Sequence, residues 1–238
     1  MKWEHNIIHG LQWSGSITNL AAKQEVAERV AQEVKDGDTI GFGSGSTSFL
    51  AIQSIAARLK REHISCTAIP TSTEVAFTCM DLGIPTASLV NARPDWAFDG
   101  ADEVDPDCNL IKGRGGAMFR EKLLIDSSPK TFILIDQSKL VPVLGRNFPV
   151  PIEVFPEAVN LAREVLQKLE ATQAVVRLGL KKDGPVFTEN GNLIMDVHFA
   201  RILADFEKRI KAIPGVIESG LFQGRKLEIL VSGPAPTP

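Results

Sequence analysis

The sequence predicts an α/β fold, with a Rossmann-like parallel-sheet domain and a second, smaller ferredoxin-like α+β domain. In the first half, short β-compatible segments alternate with segments of helical periodicity, which is typical of a parallel sheet covered by helices. Three prolines, Pro149, Pro151 and Pro156, then lie close together and indicate a domain boundary. Beyond them the element order is β-α-β-β-α-β, the split βαβ plan. We therefore predict domains at 1–148 and 149–219, with 220–238 rejoining the first.

The first predicted domain begins with a helix over Leu20–Val34, where apolar residues recur at helical spacing and Asp36-Gly37-Asp38 follows as a stop signal. Strands and helices then alternate. The predicted strands are Thr39–Gly43, Ser65–Ile69, Trp96–Phe98 and Thr131–Ile135, and the predicted helices are Phe49–Leu59, Thr73–Leu82 and Ala117–Ile125.

The second predicted domain has strands at Ile152–Val154, Ala174–Leu178 and Leu193–Val197 and one after Pro214, with helices at Glu157–Leu169 and around Ile202–Ala212. Asp183-Gly184 and Asn190-Gly191 are hairpin signals between the middle strands. A last strand, Lys226–Val231, is expected to rejoin the first sheet. The proline-rich tail, Gly233–Pro238, is expected to be disordered.

Composition excludes several classes of protein. The chain has 238 residues, of which 44% are hydrophobic and 23% charged, as in ordinary soluble globular proteins. With 26 basic residues against 29 acidic ones, it lacks the excess of positive charge that broad binding to nucleic acid needs. No segment approaches the roughly 20 apolar residues of a membrane span. We expect neither a nucleic-acid nor a membrane partner.

The cysteines and the first residues bear on location. Cys66, Cys79 and Cys108 are sparse and show no CxxC spacing, so neither a disulfide framework nor a thiolate zinc site is predicted. Polar residues interrupt the apolar ones among the first eleven positions, and no export signal is visible there. These observations favour a reducing, cytoplasmic location.

The first motif with chemical potential is a glycine–serine turn, Gly41–Thr47, between a predicted strand and a predicted helix. Backbone N–H groups at a helix start favour an anion, and Ser44, Ser46 and Thr47 add hydroxyl donors, so a phosphate group would fit here. No lysine follows the last glycine as in a Walker A motif, and Ser46 takes the place of the third glycine of a dinucleotide fingerprint. A plain tight turn with a serine cap is the alternative.

The second motif is the acidic segment Asp99–Asp105, which follows a predicted strand. Ligands of open α/β sheets bind beyond the carboxyl ends of the strands, where this segment lies. A calcium loop starting at Asp105 is disfavoured, because Leu110 and Gly116 replace its required glycine and closing glutamate. A solvated acidic loop is the alternative.

The third motif is the glycine loop, Lys112–Gly116, followed by a predicted helix that carries Glu121. The glycines allow close backbone approach to a ligand, and Lys112 supplies a point charge. Glu121 alone would more often be a surface ion-pair partner. Lys139, just beyond a predicted strand, suits a phosphate clamp but is equally compatible with a solvated lysine.

The sequence supports neither a metal site built on histidines nor a serine nucleophile. His5, His9, His63 and His198 show no metal-ligand spacing, and we interpret them as structural or surface residues. No G-x-S-x-G segment is present, which disfavours a serine hydrolase.

Together these motifs resemble ribose 5-phosphate isomerases of type A. The resemblance rests on GFGSGSTS at Gly41–Ser48, FDGADEVDP at Phe98–Pro106, KGRGGAMFREK at Lys112–Lys122 and FPVPIEVFPEA at Phe148–Ala158. It covers about Leu20–Val231. Four motifs in one order and spacing are a specific signal.

The resemblance implies an enzyme without metal or other cofactor that interconverts ribose 5-phosphate and ribulose 5-phosphate, in the pentose phosphate pathway. It implies that Glu121 moves a proton between carbons 1 and 2, and that Asp99, Asp102 and Lys112 are further catalytic residues. It also implies a homo-oligomer, a dimer or tetramer. The residues expected to bind the substrate are Ser44, Gly45, Ser46, Thr47, Asp99, Gly100, Ala101, Asp102, Lys112, Gly113, Arg114, Gly115 and Lys139, and Lys23 is a further candidate for the phosphate.

The isomerase reaction explains why the site would need carboxylates and a lysine. Removing a proton next to a carbonyl builds an enediolate, which needs a carboxylate base and positive or N–H donors at the oxygen that gains charge. The sugar is mostly cyclic in water, so another acid–base group must open the ring. Asp99 is our candidate, with Asp102 orienting it or relaying a proton between the two oxygens. Carboxylates crowded near a lysine acquire separated pKa values, which allows one to donate while another accepts.

Two other functions compete with the isomerase. A non-catalytic sugar-phosphate sensor would use the same scaffold and anion site, but it would need no base such as Glu121 beside Lys112 and Asp99. A nucleotide-dependent kinase is disfavoured by the missing Walker lysine. Arg114 stands in the glycine loop where many members of the family have glycine, and it is expected either to contact phosphate or to cover the site.

Overall fold

The structure is a computed structural model that describes residues 8, 13 and 16–233. It divides into two compact units, with bounds Met1–Gly100, Leu123–Gln137 and Leu227–Pro238 for the first and Ala101–Lys122 and Ser138–Lys226 for the second. These bounds differ from the predicted domains, which stay a prediction. The expectations about an export signal, His5, His9 and the C-terminal tail beyond Gly233 fall outside the described residues.

The first unit contains a five-stranded parallel sheet. Its strands are β1 Asp38–Phe42, β2 Cys66–Pro70, β3 Trp96–Gly100, β6 Thr131–Ile135 and β12 Glu228–Val231. Their order across the sheet is β12-β6-β3-β1-β2. The parallel pairing of β12 with β6 confirms that the last predicted strand joins this sheet. Because parallel neighbours point the same way, β1 and β3 end side by side, and the segments that follow them start at one edge.

The helices of this part of the chain are α1 Leu20–Ala31, α2 Ser46–Glu62, α3 Thr73–Leu82 and α4 Met118–Ser127. α3 matches its prediction, since Ser72 caps its start by accepting a hydrogen bond from the Val75 N–H and Gly83 ends it in a left-handed conformation. α1 ends before the predicted Val34, because the chain tightens into i to i+3 hydrogen bonds after Ala31. Apolar residues of α1, α2, α3 and the sheet form the core.

The second unit contains a four-stranded antiparallel sheet and two helices. The elements are β7 Val150–Val154, α5 Val159–Lys168, β8 Ala171–Val176, β9 Leu193–Phe199, α6 Phe206–Lys211 and β10 Val216–Ser219. The strand order β10-β7-β9-β8 is the ferredoxin-like arrangement. Glycines at both predicted hairpin signals adopt positive φ, with Gly184 at 96° and Gly191 at 77°. The second predicted helix starts later than expected, at Phe206.

One face of this antiparallel sheet lies on an apolar core that includes Ile152, Val154, Val197 and Phe206. Glu153 points to the other face, as its position between Ile152 and Val154 in a strand requires.

A small three-stranded sheet was not predicted. Its strands are β4 Glu103–Val104, β5 Leu110–Ile111 and β11 Leu221–Phe222, in the order β11-β5-β4. Two residues carry no periodicity, and the pairing of β5 with β11 joins segments that lie far apart in the chain. Over the stretch that the structure describes, none of the helices combines the length and the apolar character that crossing a bilayer requires.

Candidate active site

In the first unit, the glycine–serine turn leads from the end of β1 directly into α2, as predicted. α2 begins at Ser46, and its first backbone hydrogen bond runs from the Phe49 N–H to the Gly45 carbonyl. Gly45 is the N-cap residue, and no side chain caps the helix, so a serine cap does not explain the serines of this turn. The N–H groups of the first helical turn have no carbonyl partner within a helix and favour an anion.

Asp99 lies against this turn, because β3 is the neighbour of β1. Its side chain is buried, and its Oδ1 accepts hydrogen bonds from the Gly100 N–H at 2.7 Å and the Ser44 N–H at 3.2 Å. The Ser48 hydroxyl donates to the same oxygen at 3.5 Å. These three donors converge on one oxygen and hold the carboxylate against the turn.

Gly43 makes this close approach possible. A Cβ atom at position 43 would lie 2.3 Å from the carboxyl carbon of Asp99 and 2.6 Å from its Cα. Any larger residue at position 43 would clash with Asp99, which explains the glycine at this position of the turn motif.

Lys23 supplies a positive charge at the same turn. Its side chain is buried, and its Nζ donates hydrogen bonds to the Ser46 hydroxyl at 3.1 Å and the Thr18 hydroxyl at 3.4 Å. α1 brings Lys23 there from outside the motif, which is why Lys23 was only a weak candidate from the sequence.

In the second unit, backbone hydrogen bonds hold the glycine loop. The Lys112 N–H donates to the Gly220 carbonyl at 2.9 Å, and the Asp102 N–H donates to the Ile111 carbonyl at 2.8 Å. The Arg114 N–H in turn donates to Oδ2 of Asp102 at 3.2 Å. The acidic motif and the glycine loop thus meet in this unit.

Lys112 and Glu121 form a buried ion pair. The Lys112 Nζ lies 3.3 Å from Oε2 of Glu121, and the two residues are 3% and 4% exposed. Glu121 occupies the first turn of α4, where its charge is compatible with the helix dipole. The interpretation of Glu121 as a solvated surface partner is therefore wrong.

The charges around Asp102 pull its pKa in opposite directions. Burial raises the pKa of this carboxyl and dominates, and the nearby Glu121 raises it further. The ammonium groups of Lys112 and Lys139 and the hydrogen bond from Arg114 lower it. Lys139 ends a short 3₁₀ helix and lies over the Phe148 ring at 5.0 Å, and it is only partly exposed. Asp102, Lys112, Glu121 and Lys139 thus form one electrostatic cluster within the second unit.

The predicted site residues are distributed over both units. The first unit holds Ser44 to Thr47, Asp99 and Gly100, and the second holds Ala101, Asp102, Lys112 to Gly115, Glu121 and Lys139. Gly45, Arg114 and Gly115 are exposed.

Sequence reasoning missed several supporting side chains. Glu103 is completely buried, and its carboxylate accepts hydrogen bonds from the Gly145 N–H at 2.6 Å, the Phe148 N–H at 3.0 Å and the Asn147 N–H. It thereby fixes the loop that follows Lys139, and a solvated acidic loop does not describe it. No local signal distinguishes Glu103 from the acidic residues beside it in the sequence.

Lys122 is a second missed residue, next to Glu121 on α4. Its buried Nζ contacts the carboxylates of Glu218 at 2.8 Å and Glu207 at 2.9 Å, and it donates to the carbonyls of Ser219 and Leu221. The same strand segment accepts the Lys112 N–H at Gly220. Lys122 therefore ties the helix of Glu121 to the segment that holds Lys112.

The segment that resembled the start of a calcium loop is a turn that binds its own backbone. Oδ1 of Asp105 accepts hydrogen bonds from the N–H groups of Asp107 at 3.0 Å and Asn109 at 2.8 Å. Among residues whose placement is described, no three histidine, cysteine, aspartate or glutamate side chains are grouped to hold a metal ion. His63 is exposed at the end of α2 and His198 is partly buried in β9, as expected of residues outside a site.

Comparison with known proteins identifies relatives of this chain. A family model described as ribose 5-phosphate isomerase A (phosphoriboisomerase A) matches residues 67–235. Ribose-5-phosphate isomerase A of Synechococcus sp. is 44% identical over 213 residues, which cover 88% of this chain and 91% of the relative. The enzyme of that name from Methanocaldococcus jannaschii is 42% identical over 209 residues, with 87% and 92% covered.

Solved structures agree with these relatives. The structure of ribose 5-phosphate isomerase A from Methanocaldococcus jannaschii has a TM-score of 0.87 and 41% identity, and the match covers 91% of this chain and 96% of that one. A D-ribose-5-phosphate isomerase solved in complex with phospho-erythronic acid has a TM-score of 0.87 and 39% identity, with the same shares covered. The matches span most of this chain and most of each relative.

Proposed function

Because this chain belongs to the ribose 5-phosphate isomerase A family, it is an aldose–ketose isomerase that interconverts ribose 5-phosphate and ribulose 5-phosphate, and we propose that Glu121 is its base. In the direction of the ketose, the Glu121 carboxylate takes the proton from C2 and later returns it to C1. Between these steps the substrate is an enediolate. The observation that carries this assignment is the buried pair of Glu121 and Lys112 at 3.3 Å.

Lys112 is proposed to stabilise the oxygen that gains negative charge. As C2 loses its proton, charge moves to the carbonyl oxygen on C1, and an ammonium group in a buried site lowers the energy of that state more than water does. The amides of the glycine loop are proposed to add N–H donors. One structural relative was solved with phospho-erythronic acid, whose carboxylate resembles the charged oxygens of an enediolate, and this supports a site of that kind.

Asp99 is proposed to assist ring opening. Its carboxylate, which the N–H groups of Ser44 and Gly100 hold in place, would take the proton of the anomeric hydroxyl and deliver it to the ring oxygen as the bond between C1 and that oxygen breaks. The Asp99→Asn variant is expected to lose activity on cyclic substrate and to retain it on the open-chain form. Equal loss on both forms would exclude this special role.

Asp102 is proposed to relay a proton between the two substrate oxygens. After C2 is deprotonated, O1 needs a proton and the hydroxyl on C2 must lose one, so that a carbonyl forms at C2. The raised pKa of Asp102 lets the carboxyl hold a proton at milder pH than an exposed aspartate does. Its link to Arg114 couples it to the glycine loop.

The glycine–serine turn is proposed to bind the phosphate group through Ser44, Gly45, Ser46 and Thr47. The start of α2 and the ammonium of Lys23 beside Ser46 both favour an anion there. In the second unit, the buried Gly113, the exposed Arg114 and Gly115, and Lys139 are proposed as further substrate contacts. Gly100 and Ala101, beside the two aspartates, are proposed as contacts as well.

A direct assay tests the reaction. Purified protein is incubated with ribose 5-phosphate and excess chelator, and ketose formation is followed. Activity that survives the chelator would support both the reaction and the prediction that no metal or other cofactor takes part. Absence of ketose with and without added divalent metal would overturn the assignment and favour the non-catalytic sensor, which no feature of the relatives supports.

A place in the pentose phosphate pathway, a cytoplasmic location and a dimeric or tetrameric state complete the proposal. All three cysteines are free thiols, as is usual in a reducing compartment. Burial raises the pKa of the Cys66 thiol to about 11 and that of Cys79 to about 12, so both stay protonated. Light scattering after size-exclusion chromatography tests the oligomeric state, and a monomer would contradict it.

A further inference from the structure

Arg177 anchors the glycine loop from the antiparallel sheet of the second unit. It directly follows β8, and its Nη1 donates hydrogen bonds to the carbonyl of Arg114 at 2.8 Å and to that of Gly113 at 3.3 Å. Its side chain is 18% exposed. It therefore contacts the backbone of the loop and none of the proposed catalytic side chains directly.

Asp196 holds this guanidinium in a fixed orientation. Oδ2 of Asp196 accepts a hydrogen bond from Nε of Arg177 at 2.8 Å, and Oδ1 accepts a second one from Nη2. Two parallel bonds between an arginine and a carboxylate fix the plane of the guanidinium. Asp196 lies in β9, so the regular pairing of β8 with β9 sets the position of both partners.

The loop needs such an anchor because its backbone is unusual. Gly113 has a φ of 98°, and a Cβ atom there would lie 2.9 Å from the end of the Met118 side chain. Glycine permits this conformation but does not enforce it, since glycine populates many other backbone conformations. Hydrogen bonds to the neighbouring carbonyls supply the restraint that the glycine lacks.

The peptide group between Gly113 and Arg114 links Arg177 to Asp102. Its carbonyl oxygen, on Gly113, accepts from Arg177, and its N–H, on Arg114, donates to Oδ2 of Asp102 at 3.2 Å. In a trans peptide these two groups point in opposite directions. The guanidinium of Arg177 therefore lies at the carbonyl end of the peptide group, and the carboxylate of Asp102 lies at the N–H end. The positive charge at the carbonyl polarises the peptide group and makes its N–H a stronger hydrogen-bond donor.

We propose that Arg177, oriented by Asp196, is a positioning residue that fixes the Gly113–Arg114 peptide so that its N–H holds the Asp102 carboxylate. The inference rests on the proposed role of Asp102 in the isomerase reaction. It also gives the second sheet a role in the reaction, since β9 supplies Asp196 and Arg177 directly follows β8.

The main variant is Arg177→Met, which keeps much of the length of the side chain and removes its donors. We expect kcat to fall about tenfold, in line with the loss of hydrogen bonds to a charged group. Arg177→Lys keeps the positive charge and reaches one carbonyl, so it should recover part of the loss. Asp196→Asn leaves the arginine in place but loosens its orientation, and it should have a smaller effect of the same kind.

Arg58→Met is the matched control. Arg58 in the first unit also donates to a backbone carbonyl, that of Ala31, and pairs with a carboxylate, that of Glu62, and its side chain is 15% exposed. Its loss should cost comparable stability and leave kcat unchanged. If Arg58→Met lowered kcat as much as Arg177→Met does, the effect of Arg177 would be one of general stability and the proposal would fail.

A double-mutant cycle with Asp102→Asn separates positioning from a merely structural role. If Arg177 acts through Asp102, Arg177→Met should cost about tenfold in kcat/KM in the wild-type background and less than about twofold in the Asp102→Asn background. Equal costs in the two backgrounds would overturn the proposal. If Arg177→Met does not fold, the same cycle is measured with Asp196→Asn and has the same two outcomes.

The pH profile gives an independent measurement. Asp102 faces Lys112, Lys139 and Glu121, and these charges remain in the variant, so the lost donor is the Arg114 N–H. Its loss raises the pKa of Asp102, and the limb of the kcat/KM profile that Asp102 governs should move to higher pH. An unchanged profile would overturn the proposal. A wild-type protein with no isomerase activity would instead overturn the proposed function.

Discussion

The glycine–serine turn of the first unit and the glycine loop of the second are both rich in glycine, but different forces hold them. The turn is held by regular secondary structure, because it connects the end of β1 to the start of α2, and Asp99 at the end of the adjacent strand β3 accepts the Ser44 N–H at 3.2 Å. The glycine loop lies outside the helices and strands, and it is held by the side chain of Arg177 and by the carbonyl of Gly220. A turn at the start of a helix is placed by the helix itself, whereas buried charged side chains need further contacts that fix their positions.

The turn and the buried ion pair of the second unit also differ in the kind of group that would meet the substrate. The turn offers backbone amides and hydroxyl groups, which are neutral donors that can bind an anion in contact with water. The ammonium group of Lys23 lies beside them. The second unit buries Lys112 and Glu121 almost completely, and a buried ion pair is costly unless its geometry is fixed. We infer that the turn contributes mainly to substrate affinity and the buried pair mainly to turnover. The following variants test that division.

Glu121→Gln should have the largest effect. The amide keeps the size of the side chain but cannot take a proton, so we expect kcat to fall about 10³-fold, within the range of general-base catalysis, while KM stays within about twofold. Steady-state kinetics with ribose 5-phosphate measure both. Glu164→Gln on the exposed side of α5 is the control and should behave as wild type. A kcat for Glu121→Gln within tenfold of wild type would exclude Glu121 as the base.

Gly43→Ala should disturb the turn itself. The added Cβ would lie 2.3 Å from the Asp99 carboxyl carbon, so the end of β1 or of β3 must shift. We expect the free energy of unfolding to fall by about 1–3 kcal/mol, as in other overpacked sites. Denaturant unfolding gives this value, and KM should rise with it. Unchanged stability and KM would show that the contact between Gly43 and Asp99 relaxes without cost.

Lys23→Met should weaken substrate binding and spare the chemistry. The loss of one ammonium beside the anion site is expected to raise KM about tenfold, equivalent to about 1.4 kcal/mol, with kcat within about twofold. Inhibition by inorganic phosphate should weaken in parallel. Lys35→Met, at an exposed position near the end of α1, serves as the control. A fall in kcat at constant KM would contradict the division between the two regions.

Asp102→Asn should have the smallest effect on stability, and that effect should depend on pH. Because the pKa of Asp102 is raised in the folded chain, the folded state binds this proton more tightly than the unfolded state does. The stability that the protonated carboxyl contributes is lost as pH rises through the folded-state pKa. The neutral amide avoids that loss, so Tm at pH 7 should be slightly higher than in wild type and the difference should shrink as pH falls.

Thermal unfolding of both proteins between pH 4 and pH 8 measures this dependence. A variant with a lower Tm than wild type at pH 7 would show that the ion pairs of Asp102 outweigh the cost of burying it. The isomerase activity of the variant should fall in either case.

Much of the fold followed from local patterns. Alternating strands and helices predicted the parallel sheet, and the helix at Thr73–Leu82 and the strand at Thr131–Ile135 were predicted at their observed bounds. The predicted fold class, family and reaction are confirmed by relatives that match most of the chain. The short strands β4, β5 and β11 could not be found, because two residues carry no period and because β5 pairs with β11, a segment about a hundred residues further along the chain.

The sequence by itself determined which residue types recur in which order, and thereby the glycine–serine turn, the acidic segment, the glycine loop and Glu121 as candidates. It left open whether each was solvated or buried. Only the tertiary structure decided that Glu103 and Glu121 lose water while Asp107 keeps it, and that Arg177 and Lys122 support the glycine loop and the helix of Glu121. The physical reason is that burial and charge pairing depend on neighbours brought from distant parts of the chain, which no local pattern records.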